Sequence, residues 1–518
     1  MSTTDTQLSP PTSLREKLAQ LMVVRIGSNL PPVRTVEQDA ERIDQLLTEC
    51  PVGGLIVFNG KRDQTPATLA ELQARCDVPL LVSADIERGV GQQLHGPELF
   101  PHAMAFDALG DQAVEAVEEF ARLTAIDARA SGIHIAFAPV ADVNVDPRNP
   151  IIATRAFGSD PERVAELVTA FVRGCAAGGL LSTVKHFPGH GNTHEDSHHA
   201  LPTIVGDLQQ LESCELVPFR AAIDAGVPLV MSAHVRYPAW DDTGAPATLS
   251  SSILIDLLRE QIGFSGAVVS DSLLMEGVKS RFNSEGELAV NAMLSGVDIL
   301  LDVAEPSATL IALEKAVDAG DLPEQRVDEA FARLWQLKRQ IYENDADPGR
   351  VAEQITSLVD QTAERAIRVV SGANGFSGFD TSQSLSVVLV RPYQSHLDPP
   401  EQPLGEAIRE RAPGADYFEL GPLNEEQDYQ RVLEQVAHVE QLLVAIIVKP
   451  AAWHAFGLLP QQQTFVEHLI GQQPCLLASL GTPEALEKFA DATFKICTYS
   501  DVPASQCALA KFVLQLPE

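Results

Sequence analysis

Residues 185–199 read KHFPGHGNTHEDSHH and hold five of the chain's 13 histidines, with Glu195 and Asp196 among them. Three chemistries fit such a segment. Residues 194–198 match H-E-x-x-H, which on a helix sets two zinc ligands one turn apart and a glutamate against the metal-bound water. Pro188, Gly189 and Gly191 upstream and Pro202 downstream oppose a helix there. No apolar stripe anchors one. A second reading is a solvated loop whose histidines do nothing. The third is proton transfer. Asp196 and His198 are two apart, so in an extended segment both point to one side. The carboxylate can then fix the imidazole tautomer and stabilise its protonated form. Such a histidine can protonate a leaving oxygen and later take a proton from water.

A proton donor of that kind needs a second group. The segment AVVSDSLLMEGV places Asp271 directly after an apolar run. One reading makes it the N-cap of a following helix. The other makes it a carboxylate nucleophile.

What would position these groups is a set of apolar, β-rich runs. They are LMVVRIG (21–27), GLIVFNG (54–60), PLLVSAD (79–85), IHIAFAPV (133–140), LSTVKHF (181–187), PLVMSAH (228–234), GAVVSD (266–271) and GVDILLD (296–302). Several are continuous rather than alternating, as in parallel strands buried on both faces. Segments 111–131 and 160–177 between them carry apolar residues at helical spacing. Eight strand–helix units over roughly 300 residues predict a (β/α)8 barrel of the TIM type. Polar residues collect where the runs end: Asp85, Asp142, Lys185, His186, His234, Asp271 and Asp302. In a parallel barrel those ends converge on one mouth.

Residues 324–345 predict an amphipathic helix closing the barrel. A helical connector and a Gly/Ser-rich break (349–384) follow. Strand signals restart at LSVVLVRP (385–392), QLLVAIIVKP (441–450), PCLLASLG (474–481) and FKICTYSD (494–501). The expected architecture is α/β throughout: a catalytic barrel over 1–348, a linker over 349–384, and a smaller α/β sandwich over 385–518.

Composition narrows the partners. The 518 residues exceed one ordinary core, so two domains are expected. A net charge of -34 repels nucleic acid and anionic membranes. No run reaches the ~18 apolar residues of a membrane span. The first residues lack the basic start, apolar block and cleavage site of a signal peptide. Seven scattered cysteines, an odd number, fit a reduced cytoplasmic protein better than a disulfide framework.

KHFPGHGNTHEDSH and VVSDSLLMEGV resemble the two hallmark motifs of glycoside hydrolase family 3, in its NagZ-like β-N-acetylglucosaminidase branch. LVSADIERGVGQQL and FAPVADVNVDPRNPIIATRAFGSDP resemble two further family segments, in the right order. ASLGTPEALEKFADATFKICTYSDVPASQCALAKFVLQ resembles the second domain of the two-domain members. The resemblance implies a retaining hydrolase that releases terminal β-linked N-acetylglucosamine and suits recycling of cell-wall fragments. It makes Asp271 the nucleophile, His198 the acid/base and Asp196 its orienting partner. Asp85, Lys185, His186 and Arg155 become substrate-binding residues. The branch usually has an arginine eight residues after the Asp85 position; here Gln93 stands there, and the sugar preference is open at that point. ERGVG likewise replaces the commoner Glu-Gly-Gly run. The implied chemistry needs only protons and a carboxylate, hence no cofactor and no metal. The alternatives are a β-glucosidase or phosphorylase of the same family, and, from a different class, an H-E-x-x-H zinc hydrolase.

Overall fold

The continuous apolar runs become strands with little or no exposed surface. The computed structural model describes residues 8–193, 201–343, 349–372, 376, 378–394, 399, 401–450 and 456–514. Its eight barrel strands are Met22–Ile26, Gly54–Val57, Leu81–Ala84, Ile135–Ala136, Leu181–Phe187, Leu229–Ser232, Ala267–Val269 and Leu300–Leu301, numbered first to eighth in chain order. Each lies parallel to its neighbours, with the eighth beside the first. A parallel bridge between Val269 and Ile299 joins the seventh strand to the start of the eighth and closes the ring. Every residue of the second, third, fifth, sixth and seventh strands is buried. That burial on both faces explains the unbroken apolar runs.

Helices alternate with these strands, and their ends follow local chemistry. Thr35 opens Val36–Glu49 with a reciprocal capping box to Gln38. Asp160 accepts the Arg163 amide to start Pro161–Ala177, with Pro161 in the first turn. The predicted closing helix is Glu324–Tyr342, which buries Val327, Phe331, Leu334, Lys338 and Ile341 along one stripe.

Lys338 is the unexpected member of that stripe. Its ammonium donates to Gln20 Oε1 at 2.7 Å, to the Gly53 carbonyl at 3.0 Å and to the Pro79 carbonyl. Gly53 and Pro79 precede the second and third strands, so the lysine seals the end opposite the mouth. Burial pulls its pKa down to about 7. At the same end Asp298, fully buried, pairs with Arg259 at 2.6 Å, Arg326 at 2.7 Å and Arg333 at 3.0 Å. Charge at the strands' beginnings is structural; charge at their ends forms the mouth.

The chain divides into two compact units: Met1–Glu98, Val117–Asp146 and Ser159–Ile355 form one, and Leu99–Ala116, Pro147–Gly158 and Thr356–Glu518 the other. The second unit holds a six-stranded sheet in the order Arg368–Ser371, Phe494–Cys497, Leu476–Ser479, Gln441–Ile446, Leu385–Val390, Asp416–Leu420. Only Arg368–Ser371 runs antiparallel. The five parallel strands follow the doubly wound order 2-1-3-4-5, with a hydrophobic cluster on each face. Four of these strands match the predicted runs. Asp416–Leu420 and Arg368–Ser371 add to them, the latter inside the segment predicted as a linker.

Candidate active site

Lys185 and His186 end the fifth strand, and both are buried. The Lys185 ammonium sits between two carboxylates, 2.7 Å from Asp85 Oδ1 and 2.7 Å from Glu87 Oε1. This fixes Asp85, at the end of the third strand, in the mouth. His186 donates Nδ1–H to Asp142 Oδ2 at 2.7 Å. A carboxylate only accepts, so the proton stays on Nδ1 and Nε2 is the ring's acceptor.

Asp142 does more than orient one ring. Its Oδ1 accepts the main-chain N–H of His186 at 3.2 Å and of His190 at 2.6 Å. One carboxylate thereby gathers the turn FPGHG. The His190 ring lies edge-on to His186, with centroids 5.9 Å apart. Burial and the neighbouring His186 lower its pKa to about 4, against opposing pulls from Asp142 and Asp271. His190 is therefore neutral near pH 7.

Asp271 follows the seventh strand, partly exposed, and its Oδ1 accepts the Ser272 amide at 2.7 Å. No long helix follows it; Glu276–Lys279 is the next, four residues long and starting five positions on. The N-cap reading of Asp271 is thus set aside by its surroundings. Ser272 is held from two sides. His234, after the sixth strand, donates Nε2–H to the Ser272 carbonyl at 3.0 Å. The Ser272 hydroxyl donates to Asp302 Oδ2 at 2.7 Å, and Asp302, after the eighth strand, accepts Arg25 Nε at 3.0 Å. The turn bearing Asp271 is pinned to its neighbours on both flanks.

The other predicted residues fall in three places. Gln93 is buried beside Asp85 and donates Nε2–H to the Asp85 carbonyl at 3.1 Å. Arg155 belongs to the second compact unit, on the turn Ala153–Arg155, and donates to the Ile151 carbonyl at 2.9 Å. Asn149 builds that turn by accepting the Ile151 and Ile152 amides, each at 2.9 Å. His198 and Asp196, with the whole H-E-x-x-H pattern, lie outside the described residues. Among the described residues no group of three His, Cys, Asp or Glu side chains could hold a metal ion. No described helix is long and apolar enough to cross a membrane.

Sequence reading missed Glu87, Ser272 and Glu215. Glu87 had a signal, two residues past Asp85 on the same side of an extended chain. Glu215 had none. It is buried, and the space of a Cβ on Gly189 is taken by its Oε2, at 2.6 Å. Burial and the nearby Asp142 push its carboxyl up to about 8.

A parallel eight-stranded barrel whose mouth carries paired carboxylates, a lysine and oriented histidines, in a chain with a doubly wound second unit, defines a two-unit α/β barrel protein with a polar mouth. The model of the glycosyl hydrolase family 3 N terminal domain matches residues 13–337, and the chain belongs to that family. It is similar to a solved structure described as a glycoside hydrolase family 3 beta-N-acetylglucosaminidase from Paenibacillus sp. str. FPU-7, with 33% identity, a TM-score of 0.87 and 97% of each chain covered. It is 30% identical over 335 residues to Beta-hexosaminidase A of Pseudoalteromonas piscicida, covering 59% of this chain and 56% of that protein. It is 32% identical over 313 residues to Beta-N-acetylglucosaminidase/beta-glucosidase of Cellulomonas fimi, covering 59% of this chain and 55% of that protein. The match thus spans about half the length of these two relatives.

Proposed function

We propose that this chain is a retaining β-N-acetylhexosaminidase that releases terminal, non-reducing β-linked N-acetylglucosamine. The observation that carries the reading is Asp271, fixed by the Ser272 amide at the end of the seventh strand and close enough to His190 to act on its ring electrostatically. In this mechanism Asp271 attacks the anomeric carbon and forms a glycosyl ester. His198, oriented by Asp196, protonates the departing oxygen and then activates water for the second step. Asp85, Lys185 and His186 hold sugar hydroxyls, and Arg155 and Gln93 contribute further substrate contacts. A histidine in place of a second carboxyl removes a negative charge beside the leaving group, which suits an anionic aglycone such as a muramic-acid unit. Seven unpaired cysteines suit a reducing compartment, and with it cytoplasmic recycling of cell-wall fragments.

A second reading, β-glucosidase activity, is favoured by Gln93, which lacks the branch's usual cation, and by the double name of the Cellulomonas fimi relative. Turnover of aryl N-acetyl-β-glucosaminide against aryl β-glucoside, with and without phosphate, separates the readings. Phosphate-dependent release of a sugar phosphate makes the enzyme a phosphorylase, and inactivation by a chelator restores the zinc hydrolase. Asp271→Ala is expected to lower kcat by several orders of magnitude, and a slow fluorinated sugar to label Asp271. A label on any other residue, or product of inverted configuration, overturns the mechanism.

A further inference from the structure

Lys185 carries one positive charge between two negative ones. Its side chain is 3% exposed, against 31% for Asp85 and 11% for Glu87, and both carboxylates lie 2.7 Å from its ammonium. One counterion would neutralise it. The second calls for an explanation, because a largely buried carboxylate is unfavourable without a charge of its own to meet.

The positions supply one. Asp85 and Glu87 flank Ile86, which is fully buried, so both acids reach one side of the chain leaving the third strand. That chain turns just beyond them, where Gly89, at φ 82°, donates its amide to the Ile86 carbonyl at 3.2 Å. Lys185 is fixed as well. Its amide donates to the Pro139 carbonyl at 3.1 Å, and its carbonyl accepts the Ala141 amide at 2.7 Å. His186 beside it already has a carboxylate of its own in Asp142.

Of the two acids, Asp85 is the more open to solvent. In the glycosidase reading above, on which this inference rests, Asp85 holds sugar hydroxyls and must loosen its grip on Lys185 to do so. An ammonium as buried as that of Lys185 is strongly unfavourable once its counterion is gone. We infer that Glu87 is a positioning residue, the standing counterion that keeps Lys185 charged and in place while Asp85 turns to the sugar. Glu87 acts through Lys185 and touches no substrate. With it, one carboxylate faces the ammonium throughout the exchange. Without it, Asp85 is tied to Lys185, and the sugar has to compete with the ion pair.

The test uses the full chain and dinitrophenyl N-acetyl-β-glucosaminide, whose leaving group departs without a proton, so that kcat/KM does not depend on an acid. Glu87→Gln keeps the shape and removes the charge. Its kcat/KM at pH 7 is expected to fall about tenfold, the equivalent of ~1.4 kcal/mol, through KM and not kcat. With one of its two counter-charges gone, Lys185 also holds its proton less tightly. The alkaline fall in kcat/KM therefore begins at lower pH than in the wild type. Glu87→Asp retains the charge and returns that limb to its wild-type position, even where its shorter reach leaves KM raised. A Gln variant lowered by one factor at every pH makes Glu87 a packing group and overturns the inference, as does a variant indistinguishable from wild type. A wild type that cleaves no aryl glycoside overturns the glycosidase reading and takes the inference with it. If only glucosides are cleaved, the N-acetylglucosaminidase reading falls, and the same comparison on dinitrophenyl β-glucoside decides Glu87 separately.

Discussion

Asp142 acts on the mouth by holding it. It accepts from the His186 ring and from two successive backbone corners of the turn behind it, so its loss would free the ring and the loop together. Glu215 packs on the same turn, facing Asp142, Tyr237 and Cys214. The Tyr237 hydroxyl, also driven upward by burial, donates to the Gly189 carbonyl. With its pKa at about 8 instead of 4.5, Glu215 is a neutral acid at pH 7. The folded protein thus binds one more proton than the unfolded chain between those two values. Its contribution to stability is complete below pH ~4.5 and is lost as pH rises through about 8. Glu215→Gln keeps the shape and removes the titration. Thermal melts from pH 6 to 8.5 should fall more steeply for the wild type than for the variant. Parallel slopes would mean that Glu215 is charged throughout.

At the scale of elements, the fifth strand and its turn depend on close backbone approach. A Cβ on Gly191 would stand 1.7 Å from the Val143 carbonyl oxygen and 3.1 Å from the Val143 nitrogen. Neither atom can yield without moving the segment that carries Asp142. Gly191→Ala is expected to cost ~1–3 kcal/mol by overpacking, read as a lower denaturant midpoint. It should also lower kcat at temperatures where the variant is fully folded. Loss of stability with unchanged kcat would show that the turn adjusts without disturbing His186.

This turn also marks how far the sequence could be read. Each of the eight barrel runs holds a strand, because double-faced burial leaves an unbroken apolar signature. Asp416–Leu420 escaped, since only Leu420 is buried and its other residues are polar or half exposed. Arg368–Ser371 escaped as a short, exposed edge strand. Asp85, Lys185, His186 and Asp271 stood out as polar ends of apolar runs. Ser272 and Glu215 did not, because their importance lies in contacts made by folding: Ser272 meets Asp302 across 30 positions, and Glu215 meets the fifth-strand turn through space.

Across the whole molecule, acidic residues outnumber basic ones 71 to 37. Surface pairs such as Lys17–Asp328 at 2.6 Å and Arg163–Glu166 at 2.9 Å use part of the positive charge, and exposed pairs of this kind contribute little. Most carboxylates therefore repel one another, which weakens the compact state. Raising salt from roughly 0.01 M to roughly 0.1 M shortens the screening distance from about 30 Å to about 10 Å. The melting temperature should climb over that range. A decline on adding salt would show that ion pairs outweigh the repulsion.

The seam where the ring closes has its own consequence. Arg25 lies on the first strand and Asp302 just beyond the eighth, 277 positions apart, and Asp302 reaches on to the residue beside Asp271. A growing chain that has made seven strands already has His234 to hold the turn bearing Asp271 from one flank. The support on the other flank, from Arg25 through Asp302 to Ser272, exists only once the last strand has docked against the first.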